Sequence, residues 1–68
     1  MRITLKQIND ALRAAGHEEE LVRGRGYFYF AGGDAAIWPS SGVYVYRLSE
    51  LTLEQWLAER DRLAEDIL

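Results

Sequence analysis

Two segments of this chain carry the same helix-start pattern, and this repeated pattern most constrains the fold. Ile3–Ile8 reads ITLKQI and Leu51–Trp56 reads LTLEQW. In each segment a threonine stands at the N-cap position and a glutamine follows three residues later, which is the spacing of a capping box. The flanking apolar residues occupy the two positions of a hydrophobic staple. The pattern predicts that a helix begins after each threonine.

The extents of the two helices follow from apolar spacing. The first is predicted from Leu5 to Ala15, with an apolar stripe at helical spacing and Gly16 as its stop. The second is predicted to run from Leu53 to the end of the chain. Arg60 falls inside the apolar stripe of this helix, and we expect its stem to lie along the apolar surface while its head reaches water.

Between the helices the sequence period changes from 3.6 to 2, as expected for strands. Three strands are predicted at Arg25–Ala31, Ala35–Trp38 and Val43–Leu48, joined by turns at Ala31–Asp34 and Pro39–Gly42. Such short connections imply antiparallel neighbours. The predicted fold is therefore one α+β domain spanning residues 1–68, in the order α-β-β-β-α, with a three-stranded antiparallel meander and both terminal helices packed on one face.

Alternation within the strands divides the aromatic residues between two faces. Phenylalanine and valine have no polar atom that needs a partner, whereas a tyrosine hydroxyl needs water or a hydrogen bond. In the second strand we expect Ile37 to point inward and Trp38 outward. The residues predicted to face the helices are Phe28, Phe30, Val43 and Val45, and those predicted to face outward are Tyr27, Tyr29, Tyr44 and Tyr46.

The outward tyrosines have two interpretations, which the sequence leaves open. Cross-strand tyrosine pairs stabilise a sheet by roughly 0.2–1 kcal/mol each, so their role could be purely structural. Exposed aromatic patches also mark binding surfaces, and Arg25 adds a cation at the margin. The candidate binding residues are Arg25, Tyr27, Tyr29, Trp38, Tyr44 and Tyr46.

Composition narrows the class of protein. The 68 residues contain no cysteine, which excludes disulfides and thiolate metal sites and is compatible with a cytoplasmic location. No stretch approaches the ~20 apolar residues of a membrane span, and the amino terminus lacks the apolar run of a secretory signal. The net charge is −3, and residues 48–68 hold two basic and six acidic groups. This acidic end would repel phosphate backbones and anionic membranes.

The sequence offers little for catalysis or for a cofactor. His17 is the single histidine, and it follows a predicted helix end where exposure is normal. The run HEEE at His17–Glu20 lacks the second histidine of a metalloprotease helix, so a solvated loop or a helix start is expected there. We therefore predict no catalytic residue, no metal site and no cofactor, and expect that the protein is not an enzyme.

The order α-β-β-β-α resembles that of double-stranded-RNA-binding domains. Those domains carry a lysine cluster at the start of the last helix, where this chain has Glu50, Glu54 and Gln55. The reversed charge disfavours double-stranded nucleic acid as a partner. Single-stranded nucleic acid could still stack on the tyrosines, with cations nearby. Those cations are Arg23, Arg25 and Arg47.

The run GYFYFAGGDAA, followed by VYVYRL and LTLEQW, resembles a family of short bacterial proteins, some of them linked to prophages or other mobile elements. The resemblance spans Gly26–Trp56 and implies no activity, substrate or catalytic residue. The sequence favours a small protein-interaction module, regulatory or accessory, with an unidentified protein partner. The alternative is a weak single-stranded nucleic-acid-binding protein. Self-association through the two sheet edges is also open.

Overall fold

Two helices and a three-stranded antiparallel sheet follow one another in the order α-β-β-β-α, which confirms the predicted α+β fold. A computed structural model describes residues 3–65. Short 3₁₀ helices occupy two of the connections. The elements are α1 (Leu5–Ala14), β1 (Glu20–Arg23), β2 (Phe28–Ala31), a 3₁₀ helix (Ala35–Ile37), β3 (Gly42–Val43), a second 3₁₀ helix (Leu48–Glu50) and α2 (Leu53–Glu65).

Both predicted capping boxes are present. At the start of α1, the Gln7 N–H donates to Thr4 Oγ1 at 3.1 Å, and the Thr4 N–H donates to Gln7 Oε1 at 2.9 Å. At the start of α2, Gln55 and Thr52 make the same two bonds at 3.1 and 2.8 Å. Each box satisfies backbone N–H groups that the helix itself leaves without a partner.

The end of α1 also follows its prediction closely. The helix ends at Ala14, one residue before the predicted limit, and Gly16 follows the cap. The Gly16 N–H donates to the Arg13 carbonyl and the His17 N–H donates to the Leu12 carbonyl, both at 3.0 Å. This pair of bonds is a Schellman motif, which turns the chain away from the helix axis toward β1.

The sheet has the order β1-β2-β3, as in a meander. Leu21 of β1 lies opposite Phe30 of β2, and Arg23 lies opposite Phe28. On the other side of β2, Phe28 lies opposite Val43 of β3. Directly opposed residues share a face, so one face carries all five of these side chains.

The strand assignments from the sequence are partly wrong. Ala35–Trp38, predicted as a strand, is a 3₁₀ helix followed by an extended Trp38, because i→i+3 bonds from Ala35, Ile37 and Trp38 close successive turns. The predicted strand from Arg25 begins only at Phe28. The predicted third strand is reduced to Gly42–Val43, and Leu48 lies in a 3₁₀ helix.

The first strand, Glu20–Arg23, was missed, because the acidic run before it suggested a loop. Its partner is the aromatic strand β2, to which it is joined by a turn at residues 24–27. Two apolar-centred runs separated by a glycine-containing turn are a hairpin signal in the sequence. Gly24 and Gly26 lie in this turn, so the sequence contains a hairpin signal that could have identified β1.

The core forms between the sheet and the helices. Phe28, Phe30 and Val43 are buried as predicted, and Val45 packs against the same cluster. The Trp56 ring of α2 meets Phe28 edge-on with ring centroids 5.5 Å apart. Its Nε1–H donates to the buried Leu48 carbonyl at 2.9 Å. The buried indole therefore has its polar atom satisfied, as a core tryptophan requires.

Trp38 also belongs to this core, which corrects its predicted outward position. Its side chain is 6% exposed, while Ile37, predicted to point inward, is 67% exposed. The Trp38 ring packs edge-on against Phe30 with centroids 6.1 Å apart. The 3₁₀ turn reverses the inward and outward positions that a period-2 strand would give these two residues.

The outer edge of β1 is covered at its centre by Asn9 of α1. The Leu21 N–H donates to Asn9 Oδ1 at 2.6 Å, and Asn9 Nδ2 donates to the Leu21 carbonyl at 3.2 Å. One amide side chain therefore satisfies both backbone groups that a further strand would use. This contact opposes pairing of another chain along β1.

A nearly buried ion pair joins the start of β1 to α2. The Arg60 Nε and Nη2 atoms lie 2.8 and 2.7 Å from Glu19 Oε1, and the two side chains are 16% and 3% exposed. Glu19 Oε2 accepts the Asp34 N–H at 3.1 Å. The guanidinium also lies over the Trp38 ring, with Arg60 Cζ 5.4 Å from the centroid. The Arg60 head is therefore only partly exposed, since Glu19 binds Nε and Nη2, while Nη1 lies 3.1 Å from Oδ1 of the exposed Asp61.

Gly33 makes room for this carboxylate. Its backbone has φ +50°, a region that side chains other than glycine rarely adopt, and a Cβ there would collide with Glu19 Oε2. The conformation and the contact both favour glycine. The AGGD turn, predicted as a strand connection, thus also serves as the binding site for an internal carboxylate.

The pKa of Glu19 reflects the competition between burial and these partners. Desolvation by burial raises the pKa, but the Asp34 N–H and the Arg60 guanidinium together outweigh it, so the pKa lies below its ordinary value of 4.5. A carboxyl group whose pKa is lower in the folded state stabilises the fold at pH values above its unfolded pKa. That stabilisation is lost as the pH falls through the folded-state value.

We predict that Glu19→Gln lowers the free energy of unfolding by about 3 kcal/mol at neutral pH, because it leaves the Arg60 guanidinium without its buried partner. The deficit relative to the unchanged protein should begin to shrink as the pH falls below 4.5, where Glu19 of the unfolded chain takes up a proton, and should go on shrinking until the pH has fallen through the lower folded-state pKa. Urea denaturation of both proteins across the acid range measures this difference.

The control is the double variant Glu19→Gln, Arg60→Met, which removes both charges and should regain part of the lost stability, since an apolar replacement of a buried ion pair is often neutral. A deficit that stayed constant at every pH would show that the Glu19 charge does not stabilise the fold.

Candidate functional site

The sheet face opposite the core carries three of the predicted binding residues. Tyr27 and Tyr29 alternate with the buried phenylalanines, and Val22 lies opposite Tyr29 on this outer face. Gly42 lies opposite Tyr29 on the other side. Two residues beyond Gly42, Tyr44 reaches the position beside Tyr27. Alternation therefore placed these three tyrosines correctly.

The three rings form one contiguous surface, which we call the tyrosine face (Tyr27, Tyr29 and Tyr44). The ring centroid of Tyr27 lies 5.9 Å from those of Tyr29 and Tyr44, with tilts of 38° and 33°. These are ordinary separations for interacting aromatic pairs. Together with Gly42 and the hydroxyl-bearing residues Ser40 and Ser41, the rings line a shallow open groove of about 330 Å³.

Exposure differs across the tyrosine face. Tyr44 is 79% exposed, whereas Tyr27 and Tyr29 are half-buried. The Tyr27 ring lies directly over Gly24, where an added Cβ would come within 2.7 Å of the ring carbon Cζ. The Tyr44 ring likewise lies against Gly42, where a Cβ would come within 3.2 Å. Each ring covers a glycine that has no side chain of its own, so the face contributes to packing as well as presenting aromatic area.

The other three predicted site residues lie elsewhere. Trp38 is in the core, as described above. Arg25 is exposed in the turn between β1 and β2 rather than on a strand. Tyr46 does not lie on the tyrosine face. The Val45 N–H donates to the Val43 carbonyl at 3.1 Å, and this bond closes a three-residue turn at the end of β3.

Tyr46 lines a second groove instead. This groove has a volume of about 350 Å³ and lies where the start of α1, the end of β1 and the second 3₁₀ helix meet. Tyr46 is 79% exposed, and a Cβ on Gly26 would lie 3.6 Å from its ring. We call this site the arginine groove, and among residues 3–65 its lining comprises Ile3, Arg23, Tyr46, Arg47, Leu48 and Ser49.

The arginine groove was not predicted as a site. Arg23 makes a cation–π contact at the groove: its guanidinium lies over the buried Phe28 ring, with Cζ 5.0 Å from the centroid. From the sequence, Arg23 and Arg47 are predicted only as cations near the tyrosines. Their convergence depends on the pairing of Arg23 with Phe28 and on the turn after Val43, and neither contact is visible in local periodicity.

The predicted absence of catalytic chemistry stays a prediction. His17 Nε2 lies 3.9 Å from Asp61 Oδ1, and the histidine side chain is 25% exposed. Among residues 3–65, no group of three or more histidine, aspartate or glutamate side chains is arranged to hold a metal ion. In the same part of the chain, no helix is both long enough and apolar enough to cross a bilayer.

Comparison with protein-family models, with curated proteins and with solved structures found no match to this chain. The resemblance to short bacterial and prophage-linked proteins therefore stays a prediction.

We predict that Gly24→Ala destabilises the protein by about 1–3 kcal/mol, because the new methyl group would force the Tyr27 ring off the sheet. The effect should reverse when Tyr27 is first replaced by serine. In that background the substitution should be neutral or slightly stabilising, since the φ of Gly24 is not positive and alanine restricts the unfolded chain.

Denaturant titration of the four proteins in this double-mutant cycle gives the coupling between Gly24 and Tyr27 directly. Equal destabilisation in both backgrounds would show that the ring does not lie over the glycine.

Proposed function

We propose that this chain is a small non-catalytic protein-interaction module, regulatory or accessory in role, that binds its partner through the tyrosine face. We place it in the cytoplasm, since a chain without cysteine gains no disulfide from an oxidising compartment. The observation that carries the proposal is the contiguous aromatic surface of Tyr27, Tyr29 and Tyr44 around an open groove.

The residue types of this surface suit protein recognition. Tyrosine gives a large contact area from a side chain with few rotatable bonds, and its hydroxyl stays solvated when no partner is bound. Ser40 and Ser41 add hydroxyl groups at the groove, where they can hydrogen-bond a partner's backbone or side chains. Tyrosine is enriched among interface hot spots, and tyrosine together with serine and glycine is typical of antibody binding surfaces.

A purely structural role for the tyrosines is the main competitor. Tyr27 covers Gly24, so part of its contribution is to the stability of the hairpin. Tyr44 is different, because most of its ring remains in water. A binding role is therefore tested most cleanly at Tyr44 and Tyr29, with Tyr27 left in place.

Single-stranded nucleic acid is the second candidate partner. The observation in its favour is that Arg23, Arg25 and Arg47 have no carboxylate partner within residues 3–65 and lie near exposed tyrosines. Bases stack on tyrosine rings and phosphates bind arginine. A salt titration separates the candidates, because phosphate binding weakens steeply with salt while an aromatic protein contact changes little.

We predict that Tyr29→Ser, Tyr44→Ser abolishes partner binding while both helices and the core remain folded. The unchanged protein and the double variant are used as bait in cells that express the protein naturally, and captured proteins are compared by mass spectrometry. The partner recovered only by the unchanged protein is then purified. Its affinity and the melting temperature of each bait are measured on the same preparations.

Ile37→Ser is the matched control, because it removes another large exposed apolar side chain from a different element. It should leave the affinity unchanged. If the double variant bound the partner with unchanged affinity per folded molecule, the tyrosines would be structural and the proposed function would be wrong.

A further inference from the structure

The distribution of ion pairs sets the arginine groove apart. Lys6, Arg13, Arg60 and Arg62 each lie within 4.0 Å of a carboxylate oxygen. Within residues 3–65, Arg23, Arg25 and Arg47 have no such partner, and two of these three, Arg23 and Arg47, line the same groove. In an acidic chain with a net charge of −3, two arginines that line one groove and have no carboxylate partner among residues 3–65 are positioned for an external anion.

The walls of this groove are not uniformly polar. Leu48 and the partly buried Ile3 both line the groove, so apolar surface lies beside the arginines. The Tyr46 ring is exposed at the same site. Arg23 is partly ordered before any ligand arrives, because its guanidinium rests over the Phe28 ring. A ligand that matches these walls has an anionic group next to an apolar one.

We propose that the arginine groove binds an acidic peptide segment, with a side-chain carboxylate between Arg23 and Arg47 and a neighbouring apolar side chain against Ile3 and Leu48. Guanidinium forks match the planar geometry of a carboxylate and can bind it with two parallel hydrogen bonds. The site lies apart from the tyrosine face and does not depend on that face binding a partner.

A phosphate backbone fits this site less well. The Glu50 carboxylate accepts the N–H groups of Tyr46 and Arg47 at 2.7 and 2.9 Å, which places a fixed negative charge beside the groove. A continuous polyanion would pass this charge, whereas a short peptide can place one carboxylate between the arginines and avoid it.

The test uses fluorescence anisotropy at low ionic strength with three labelled probes: a short peptide of alternating glutamate and leucine, the same peptide with glutamine replacing glutamate, and a short oligothymidylate. The protein variant is Arg23→Gln, Arg47→Gln. The matched control is Lys6→Gln, Arg13→Gln, which removes the same two charges from the exposed face of α1. Circular dichroism checks that each variant is folded.

We expect the glutamate peptide to bind the unchanged protein and to lose about tenfold in affinity, equivalent to about 1.4 kcal/mol, on the groove variant. The affinity of the control variant for the glutamate peptide should fall by less than about twofold. The unchanged protein should bind the glutamine peptide as weakly as the groove variant binds the glutamate peptide. Tyr29→Ser, Tyr44→Ser should bind the glutamate peptide normally, so failure of the tyrosine face and failure of the groove give different results.

Three results would overturn this inference. Equal losses on the groove and control variants would mean that net charge alone attracts the peptide. Tighter binding of oligothymidylate than of the glutamate peptide, lost on the groove variant, would assign the groove to nucleic acid. Absence of binding by any probe would mean that the two arginines do not form an anion site.

Discussion

The Glu19 carboxylate holds together three parts of the chain that are distant in sequence. One oxygen binds the Arg60 guanidinium of α2, and the other accepts the Asp34 N–H in the turn after β2. Arg60 in turn lies over the Trp38 ring. The chain has no cysteine for a disulfide, and this network connects the start of β1, the turn and the last helix through a single side chain.

The path of the chain after β2 follows from this network. The turn bends back to place Trp38 on Phe30, under the Arg60 guanidinium, so the segment between the turn and β3 joins the core instead of the sheet. The sheet then gains its third strand from Glu20–Arg23. Because β2 lies at the centre of the sheet, its outward residue Tyr29 and the preceding Tyr27, in the turn before the strand, come to lie in the middle of the open face.

Local patterns predicted the features that depend on local contacts. The capping boxes at Thr4 and Thr52 need only residues three positions apart, and both form as expected. The inward position of Phe28 and Phe30 needs only the pleat of one strand. These features required no knowledge of which segments meet, which is why the overall order α-β-β-β-α was correct even though one of its strands was assigned to the wrong residues.

The errors concern contacts between distant residues. The buried Trp38 ring contacts Arg60, and Arg60 is bound by Glu19, which lies 41 residues away from it in the chain. A buried glutamate within a run of three acidic residues has no signal in hydrophobic periodicity. Tyr46 left the predicted face because one hydrogen bond at Val45 ended β3 early. The candidate site was therefore half predictable, since the tyrosines on the central strand follow from alternation and the arginine groove does not.

The two proposed binding surfaces lie on different sides of the sheet. The tyrosine face is built on the outer side of the sheet, whereas the arginine groove lies where the core face meets the helix start and the second 3₁₀ helix. Arg23 contributes to the second surface because it lies opposite the buried Phe28. The register of one hairpin thus places aromatic side chains on one face and a cation at the margin of the other.

The Glu19 network is tested most directly by a carbon-13 NMR titration of the glutamate side-chain carboxyl groups. The pKa of Glu19 should lie below its ordinary value of 4.5, because the Arg60 and Asp34 donors outweigh the cost of burial. A Glu19 pKa at or above that ordinary value would mean that the carboxylate is not held by these donors, and it would contradict the account of how Trp38 and the open sheet face are positioned.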